Sequence, residues 1–266
     1  MGESKRKIVG ILGFGNMGQA IFSILKKDKN YKLLIHSLGV RKVNGALCLD
    51  NIDEFFAKSD IAFLCIKPQD FYQLKRIGIK NKKLIVISIM AGVKKANIMK
   101  FINTKKIVRT MPNLALNIGE AVIGWSVNKE NFAKNELEII KKILDRFGHS
   151  FFFEKEKMLD EITAISGSGP AYVFLFADAL VKSAQSLGFN KKEAYEIVNQ
   201  TIMGSIKYAQ KNNDCGMEEL IVRIKSKKGT TEAALNQIDI INFYKVWQKA
   251  IKSASDRAKE LSNGIK

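Results

Sequence analysis

The hydrophobic positions follow two different patterns, which divide the chain into residues 1–156 and residues 157–266. In the first part, short apolar runs of strand type alternate with amphipathic helical patterns, an order typical of a parallel sheet with helices on both faces. The predicted strands are Ile8–Leu12, Lys32–Ile35, Ile61–Ile66, Leu84–Ile89, Lys106–Val108, Ala121–Trp125 and Ser150–Phe153. The pattern therefore predicts an α/β fold that begins with a doubly wound domain of the Rossmann type.

From about residue 157, strand-like runs disappear and helical patterns replace them. Asn190 and Glu193 form a capping pair at the start of one predicted helix. The apolar run Pro170–Val181 predicts a buried helix, too apolar to face solvent in a monomer. Predicted helices cover residues 170–187, 191–211, 217–225, 231–238 and 241–261. The second part is therefore predicted to be an all-α dimerisation domain.

The composition is that of a soluble globular protein, with 46% hydrophobic and 26% charged residues. The three cysteines, Cys48, Cys65 and Cys215, are widely spaced, which excludes a disulfide framework and a four-ligand zinc site. We expect no metal. Because neither an export signal nor a membrane-spanning stretch is visible, we expect a cytoplasmic protein without a membrane partner.

The formal net charge of +18 is the unusual feature of the composition. A charge of this size is compatible with binding to nucleic acid or to a membrane surface. However, only seven residues are Arg, and the lysines are scattered along predicted helix faces without interleaved aromatic residues that would stack on bases. We therefore expect no specific nucleic-acid partner.

A glycine-rich run connects the first predicted strand to the helix that follows it. The run is Gly13-Phe14-Gly15-Asn16-Met17-Gly18, which has the spacing G-x-G-x-x-G. The first glycine permits a tight turn, the second lets the backbone approach a pyrophosphate, and the third lets helix and strand pack closely. This arrangement predicts dinucleotide binding at the helix N-terminus.

The end of the second predicted strand indicates which dinucleotide is bound. NAD-selective sites place an acidic residue there for the ribose 2′-hydroxyl. This chain has Ser37 followed by Arg41 and Lys42, and its first acidic residue after the strand is Asp50. A hydroxyl and two cations suit a 2′-phosphate, so NADPH is the expected cofactor and NADH a possible one.

Five further motifs follow the glycine run, and together they carry a family resemblance. In chain order they read CIKPQ at 65–69, SIMAG at 88–92, RTMPN at 109–113, TAISGSGPAY at 163–172 and SKKGTTEAAL at 226–235. In this order they resemble the pyrroline-5-carboxylate reductases, from Ile8 to about Leu261. The resemblance implies reduction of Δ1-pyrroline-5-carboxylate to L-proline by hydride transfer from NAD(P)H, the last step of proline biosynthesis. It also implies a homo-oligomer built from dimers.

The resemblance further implies which residues form the site. The cofactor would contact Leu12, Gly13, Phe14, Gly15, Asn16, Met17, Gly18, Ser37, Asn51, Cys65, Ile66, Lys67, Pro68, Ile89, Met90 and Ala91. The substrate would contact Ser226, Gly229, Thr230 and Thr231, with Glu156 as a weaker candidate.

The residue types of the last motif support a substrate site independently of the resemblance. Gly229, Thr230 and Thr231 precede a predicted helix, whose first N–H groups suit a carboxylate. The Thr231 hydroxyl is the catalytic candidate, because it can form a hydrogen bond with the ring nitrogen as that nitrogen gains a proton. An ordinary helix N-cap is the alternative interpretation of this motif.

The same motif departs from the family pattern at two positions. Lys227 stands where the family usually has proline, and Lys228 follows it. If residue 228 needs a positive φ, a lysine there is strained by about 1 kcal/mol.

Two other functions are compatible with these motifs. One is a related NADP-dependent reductase of another imine or of a β-hydroxyacid. The other is a non-catalytic dinucleotide-binding module that docks on nucleic acid. The two histidines, His36 and His149, lie at a cofactor-side loop and at a strand start, so neither is the expected proton donor.

Overall fold

The computed structural model describes residues 6–74, 81 and 83–264. The chain forms two compact units, one of Met1–Pro170 together with Ser253–Lys266, and one of Ala171–Lys252. The domain division into 1–156 and 157–266 stays a prediction. By their contacts, residues 157–170 and the last turns of the chain belong to the same unit as the sheet.

The first unit is built on one sheet of eight strands. The strands are β1 (Lys7–Leu12), β2 (Tyr31–His36), β3 (Leu47–Cys48), β4 (Ile61–Leu64), β5 (Ile85–Ser88), β6 (Ile107–Pro112), β7 (Ala121–Ser126) and β8 (Gly148–Phe152). Their order in the sheet is β3-β2-β1-β4-β5-β6-β7-β8, and β1 to β6 are parallel. Seven of these strands were predicted from the apolar runs. The two-residue β3 was not, because it is too short to show an alternating pattern.

The expectation of a parallel sheet throughout is wrong for the last two strands. β7 is antiparallel to β6, and β8 pairs in parallel with β7. The connection from β6 to β7 is the short segment 113–120, which contains the 3-10 turn Leu114–Ile118 and Gly119 at φ 77°. A parallel neighbour needs a crossover of a dozen or more residues, so this short link reverses the chain.

Helices cover both faces of the sheet, as predicted for a doubly wound domain. They are α1 (Asn16–Leu25), α2 (Ile52–Lys58), α3 (Pro68–Gln73), α4 (Lys95–Ile102), α5 (Lys134–Leu144) and α6 (Met158–Ile162). Successive strand residues point to opposite faces. Phe63 packs in the core that contains Ile21 of α1, whereas its neighbour Leu64 packs in the core that contains Phe55 of α2 and Ile98 of α4.

The remaining helices agree with the predicted ones to within three residues at each end. They are α7 (Gly169–Ser186), α8 (Lys191–Lys211), α9 (Met217–Ile224), α10 (Thr230–Leu235) and α11 (Ile240–Gly264). The predicted capping pair is confirmed: Asn190 Oδ1 accepts from Glu193 N at 3.0 Å, and Asn190 N donates to Glu193 Oε2 at 3.0 Å. This reciprocal pair satisfies backbone donors at the start of α8.

The expectation that the apolar run of α7 is buried is wrong for the single chain. Val173, Phe174 and Leu175 are 51%, 60% and 66% exposed. By length and composition alone, the segment Met158–Ser186 would be able to cross a membrane. The run is apolar around the helix, and one copy of the chain leaves these side chains uncovered.

A buried ionic cluster joins three distant segments of the first unit. Arg109 on β6 is 3% exposed, and its Nη2 donates to Asp160 Oδ1 on α6 at 2.8 Å. Ser262 Oγ in the last turns of α11 donates to the same Asp160 oxygen at 2.6 Å. Glu156 Oε1 lies 3.4 Å from Arg109 Nη1. This cluster explains why the C-terminal turns pack with the sheet.

We expect Asp160→Ala to lower the stability of the first unit by about 3 kcal/mol, because removing one partner leaves a buried guanidinium poorly compensated. The midpoint of thermal unfolding at fixed protein concentration measures this loss. The matched control is Glu219→Ala, whose ion pair with Arg223 is exposed on both sides and should change stability by less than about 1 kcal/mol. Equal midpoints for the two variants would contradict this account of the cluster.

Candidate dinucleotide and substrate site

Two glycines of the predicted dinucleotide loop are required by close packing between β1, α1 and the end of β4. Gly13 has φ +92°, and a Cβ there would lie 2.9 Å from the Cys65 carbonyl carbon and 2.8 Å from Ile66 Cγ2. A Cβ on Gly18 would overlap the carbonyl oxygen of Gly13. The contacts with Cys65 and with the Gly13 oxygen are backbone contacts, which no side-chain rotation can relieve. The loop therefore has the compact turn that the motif predicts.

Gly15 has a different role in the same loop. A Cβ built there meets nothing within 4 Å, so the glycine leaves open space above the start of α1. Gly15 caps this helix without a side-chain hydrogen bond, and the first turn contains no acidic residue. The first N–H groups of a helix have no intrahelical partner and attract anions. The observed cradle therefore fits a dinucleotide pyrophosphate.

The end of β2 is tied directly to this loop. Gly13 N donates to the His36 carbonyl at 2.8 Å, and Phe14 N donates to Ser37 Oγ at 3.2 Å. Arg41 and Lys42 are exposed in the turn that follows. Ser37 thus stands where the sequence predicts the ribose contact, with two cations close by along the chain.

Two neighbouring residues, His36 and the predicted contact Asn51, make local structural contacts. His36 Nδ1 lies 2.8 Å from the Leu49 carbonyl, in the segment after β3. Asn51, the predicted adenosine contact, caps α2, and its Oδ1 accepts from Glu54 N at 2.9 Å. One acceptor of Asn51 is therefore already used.

The ends of β4 and β5 bring the next candidates to the same edge of the sheet. Cys65 N donates to the Leu12 carbonyl at 2.7 Å, and Ile89 N donates to the Leu64 carbonyl at 3.3 Å. Pro68 opens α3, where its fixed φ suits the first helical turn. Met90 is 2% exposed and belongs to the core, so its side chain is not available to a ligand. Burial raises the pKa of the Cys65 thiol, which is therefore neutral and a poor nucleophile.

The segment SGSGP packs against the end of β6. Residues Thr163–Gly167 form a π-helical turn, a feature frequent at functional sites. Asn113 Nδ2 donates to Ser166 Oγ at 3.3 Å, while Asn113 Oδ1 accepts from Val122 N at 3.3 Å. A Cβ on Gly167 would lie 3.1 Å from Met111 Cε. The sequence analysis used RTMPN at 109–113 only as one motif of the family resemblance and missed the linking role of Asn113.

Glu156 lies in the first unit with its carboxylate already engaged. Its Oε1 accepts from Lys95 N, the first residue of α4, at 2.8 Å and lies near Arg109. Burial lowers the pKa of Lys95, and the nearby Glu156 carboxylate opposes that shift. Lys95 Nζ donates to Ser126 Oγ at 3.3 Å. Contact between Glu156 and a substrate stays a prediction, and these bonds give the side chain a structural task.

The other substrate candidates lie in the second unit. Gly229 caps α10, its N donates to the Ser226 carbonyl at 3.0 Å, and a Cβ there would overlap Ser226 Oγ. Thr230 and Thr231 are the first two residues of the helix, and Thr231 is partly buried. Lys228 has φ +61°, so the left-handed conformation considered from the sequence is present.

Comparison with known proteins identifies what the chain is similar to. Residues 156–261 match the family described as "pyrroline-5-carboxylate reductase dimerisation". Residues 8–92 match the family described as "NADP oxidoreductase coenzyme F420-dependent". A pyrroline-5-carboxylate reductase of Aquifex aeolicus is 32% identical over 260 residues, which cover 95% of this chain and 97% of that protein. Pyrroline-5-carboxylate reductase 2 of Bacillus subtilis is 31% identical over 96% of this chain and 95% of its own length.

Solved structures give the same result. The crystal structure of the Plasmodium falciparum pyrroline carboxylate reductase with NADP bound has a TM-score of 0.84 and 25% identity, covering 97% of this chain and 99% of that one. An imine reductase from Aspergillus terreus has a TM-score of 0.52 at 16% identity, covering 96% of this chain and 88% of that one. The second likeness shows a shared fold alone.

The glycine loop yields a test with an internal control. We expect Gly18→Ala to destabilise the fold by about 1–3 kcal/mol, because its Cβ overlaps a backbone oxygen. Gly15→Ala should cost no more than about 1 kcal/mol, from weaker capping, yet should lower dinucleotide affinity by about 10-fold or more. Thermal unfolding and a titration followed by nicotinamide fluorescence separate the two effects. Unchanged affinity in Gly15→Ala would show that no pyrophosphate occupies this cradle.

Proposed function

The chain belongs to the pyrroline-5-carboxylate reductase family, and from this membership we infer that it reduces Δ1-pyrroline-5-carboxylate to L-proline, the last step of proline biosynthesis. The observation that carries the inference is similarity over nearly the full length of chain and relative, at 32% identity. The test is the loss of nicotinamide absorbance when the protein is mixed with NADPH and synthetic pyrroline-5-carboxylate. No substrate-dependent loss would overturn it.

NADPH is the cofactor, and the described loop suits it. We propose that Leu12, Gly13, Phe14, Gly15, Asn16 and Met17 hold the pyrophosphate at the N-terminus of α1, where Gly18 permits the close packing, with Ser37 at the 2′-phosphate. Residues 65–68 and 89–91, which end β4 and β5, would line the ribose and the nicotinamide. When bound, NADPH supplies the hydride. The protein orients that donor and excludes water around it.

We propose that the loop 226–231 of the second unit holds the substrate. The N–H groups at the start of α10 and the Ser226 hydroxyl would hold the substrate carboxylate. The Thr231 hydroxyl would form a hydrogen bond with the ring nitrogen and donate to it as the nitrogen takes up a proton. Ser226, Gly229 and Thr230 would then fix the orientation of the imine ring.

The described side chains of the cofactor edge favour catalysis by orientation over catalysis by a strong acid. His36 is directed to the Leu49 carbonyl, and the Cys65 thiol is neutral with its pKa raised by burial. The protonated form of the imine, the iminium ion, accepts hydride readily, and the imine can take up this proton before it binds. Holding the two reactants in a fixed geometry then accounts for most of the rate increase.

The protein is a homo-oligomer that acts on a small-molecule substrate, in keeping with its dimerisation region. We propose that the assembly is built from dimers, in which a second copy covers the apolar side chains of α7 that are exposed in the single chain. Burial against a second copy would account for the apolar composition of this helix, so no membrane is needed to explain it. We also propose a cytoplasmic location and no specific nucleic-acid partner.

We expect the enzyme to have a higher kcat/KM with NADPH than with NADH, and Ser37→Glu to move the preference towards NADH. A carboxylate would repel the 2′-phosphate and accept a hydrogen bond from a 2′-hydroxyl. The ratio of the two kcat/KM values measures the shift, with Ser37→Ala as the control that removes the hydroxyl without adding charge. An unaltered ratio in Ser37→Glu would exclude Ser37 from cofactor selection.

Thr231→Val tests the proposed hydrogen bond to the ring nitrogen. Because valine keeps the methyl packing, NADPH affinity should be retained, while kcat and kcat/KM should fall together by roughly 10–1,000-fold. The control is Thr230→Val, which should act chiefly on the KM for the imine. If Thr231→Val stays within about twofold of wild type in both parameters, Thr231 has no part in the chemistry.

A further inference from the structure

The substrate loop of this chain lacks the proline that is usual in the family and carries a strained residue. Lys227 occupies the proline position, and Lys228 adopts φ +61°. Among the described residues, the other non-glycine residue with positive φ is Asn103, and asparagine tolerates this conformation far better than lysine. Another interaction must therefore hold Lys228 in place.

Glu232 makes that interaction from the first turn of α10. Its Oε2 accepts from Lys228 N at 2.7 Å, and its Oε1 lies 3.7 Å from Lys225 Nζ. The Glu232 side chain is 27% exposed, less than that of Lys225 at 42%. The Glu232 carboxylate thus accepts a hydrogen bond from the strained Lys228 and also pairs with Lys225, which precedes the loop.

We propose that Glu232 is a positioning residue that takes over the task of the missing proline, by holding Lys228 in the left-handed conformation and thereby fixing the loop 226–231. The inference rests on the proposed function, because it assumes that this loop holds the imine. Glu232 does not touch the substrate in this account. It acts through the backbone N–H of Lys228.

The charges around the loop explain why an acidic residue does not prevent the binding of an anion there. The substrate carboxylate would be repelled by an isolated glutamate. Here Lys225 pairs with Glu232, and Lys227 and Lys228 leave the segment 225–232 with a net positive charge. The glutamate therefore orders the backbone while the local charge still favours an anion.

Kinetics with NADPH and pyrroline-5-carboxylate provide the first test. Glu232→Ala should raise the KM for the imine about 10-fold, the scale of losing one hydrogen bond to a charged group, with kcat and the KM for NADPH within about threefold of wild type. Glu232→Gln keeps an acceptor and should lose less. The control, Glu196→Ala, removes an exposed glutamate 3.9 Å from Lys192 on α8 and should match wild type.

Restoring the proline provides the sharper test. In a Lys227→Pro background, Glu232→Ala should raise the KM for the imine by no more than about threefold, because the ring already restricts the loop. An equal loss with and without the proline would overturn the proposal, as would an unchanged KM in Glu232→Ala. If the alanine variant does not fold, Glu232→Gln and Glu232→Asp are compared in the same two backgrounds.

Hydrogen exchange of the Lys228 amide needs no substrate and separates this inference from the proposed function. Glu232→Ala should speed exchange about 10-fold at this amide, and Lys227→Pro should restore part of the protection. Unchanged exchange would overturn the proposal. A wild-type protein that binds NADPH but does not reduce the imine would overturn the proposed function, while the exchange rates would still decide whether Glu232 holds the loop.

Discussion

The buried guanidinium of Arg109 is the contact on which the arrangement of the first unit depends. It brings β6, the helix α6 that follows the sheet and the last turns of α11 to one point, with Asp160 accepting from both Arg109 and Ser262. A buried charge is stable only while it is paired, so these segments must stay together. The same packing places the π-helical turn next to the end of β6, where Asn113 meets Ser166.

The cofactor edge shows how a site can be built mainly from backbone. Gly13 and Gly18 permit contacts that any side chain would block, and Gly15 leaves open the space that a pyrophosphate needs. The ends of β1, β2, β4 and β5 meet at this edge because parallel strands present their carboxyl ends together. Side-chain chemistry there is sparse, which agrees with a reaction in which the protein mainly orients two reactants.

The helical half of the chain has two features that need a stabilising contact: the exposed apolar helix α7 and the loop without proline. The apolar side chains of α7 are exposed in one copy, and we propose that a second copy covers them. The loop 226–231 lacks the proline that is usual in the family, and Lys228 N donates to Glu232 Oε2. In our proposals, the first feature is stabilised by a second copy and the second by a residue four positions away.

Features that depend on the local order of residues along the chain could be predicted before the structure was known. Apolar periodicity predicted seven strands and the helices from α7 onward, the glycine spacing predicted the dinucleotide loop, and the order of motifs indicated the family. Three features could not be predicted: the reversed direction of β7, the pairing of the two-residue β3 and the exposure of α7. The contacts of Glu156 with Lys95 and Arg109 could not be predicted either, since residues far apart in sequence meet there. Periodicity reports which face of an element is apolar, but the partner of that face depends on contacts between distant segments, which carry no local signal.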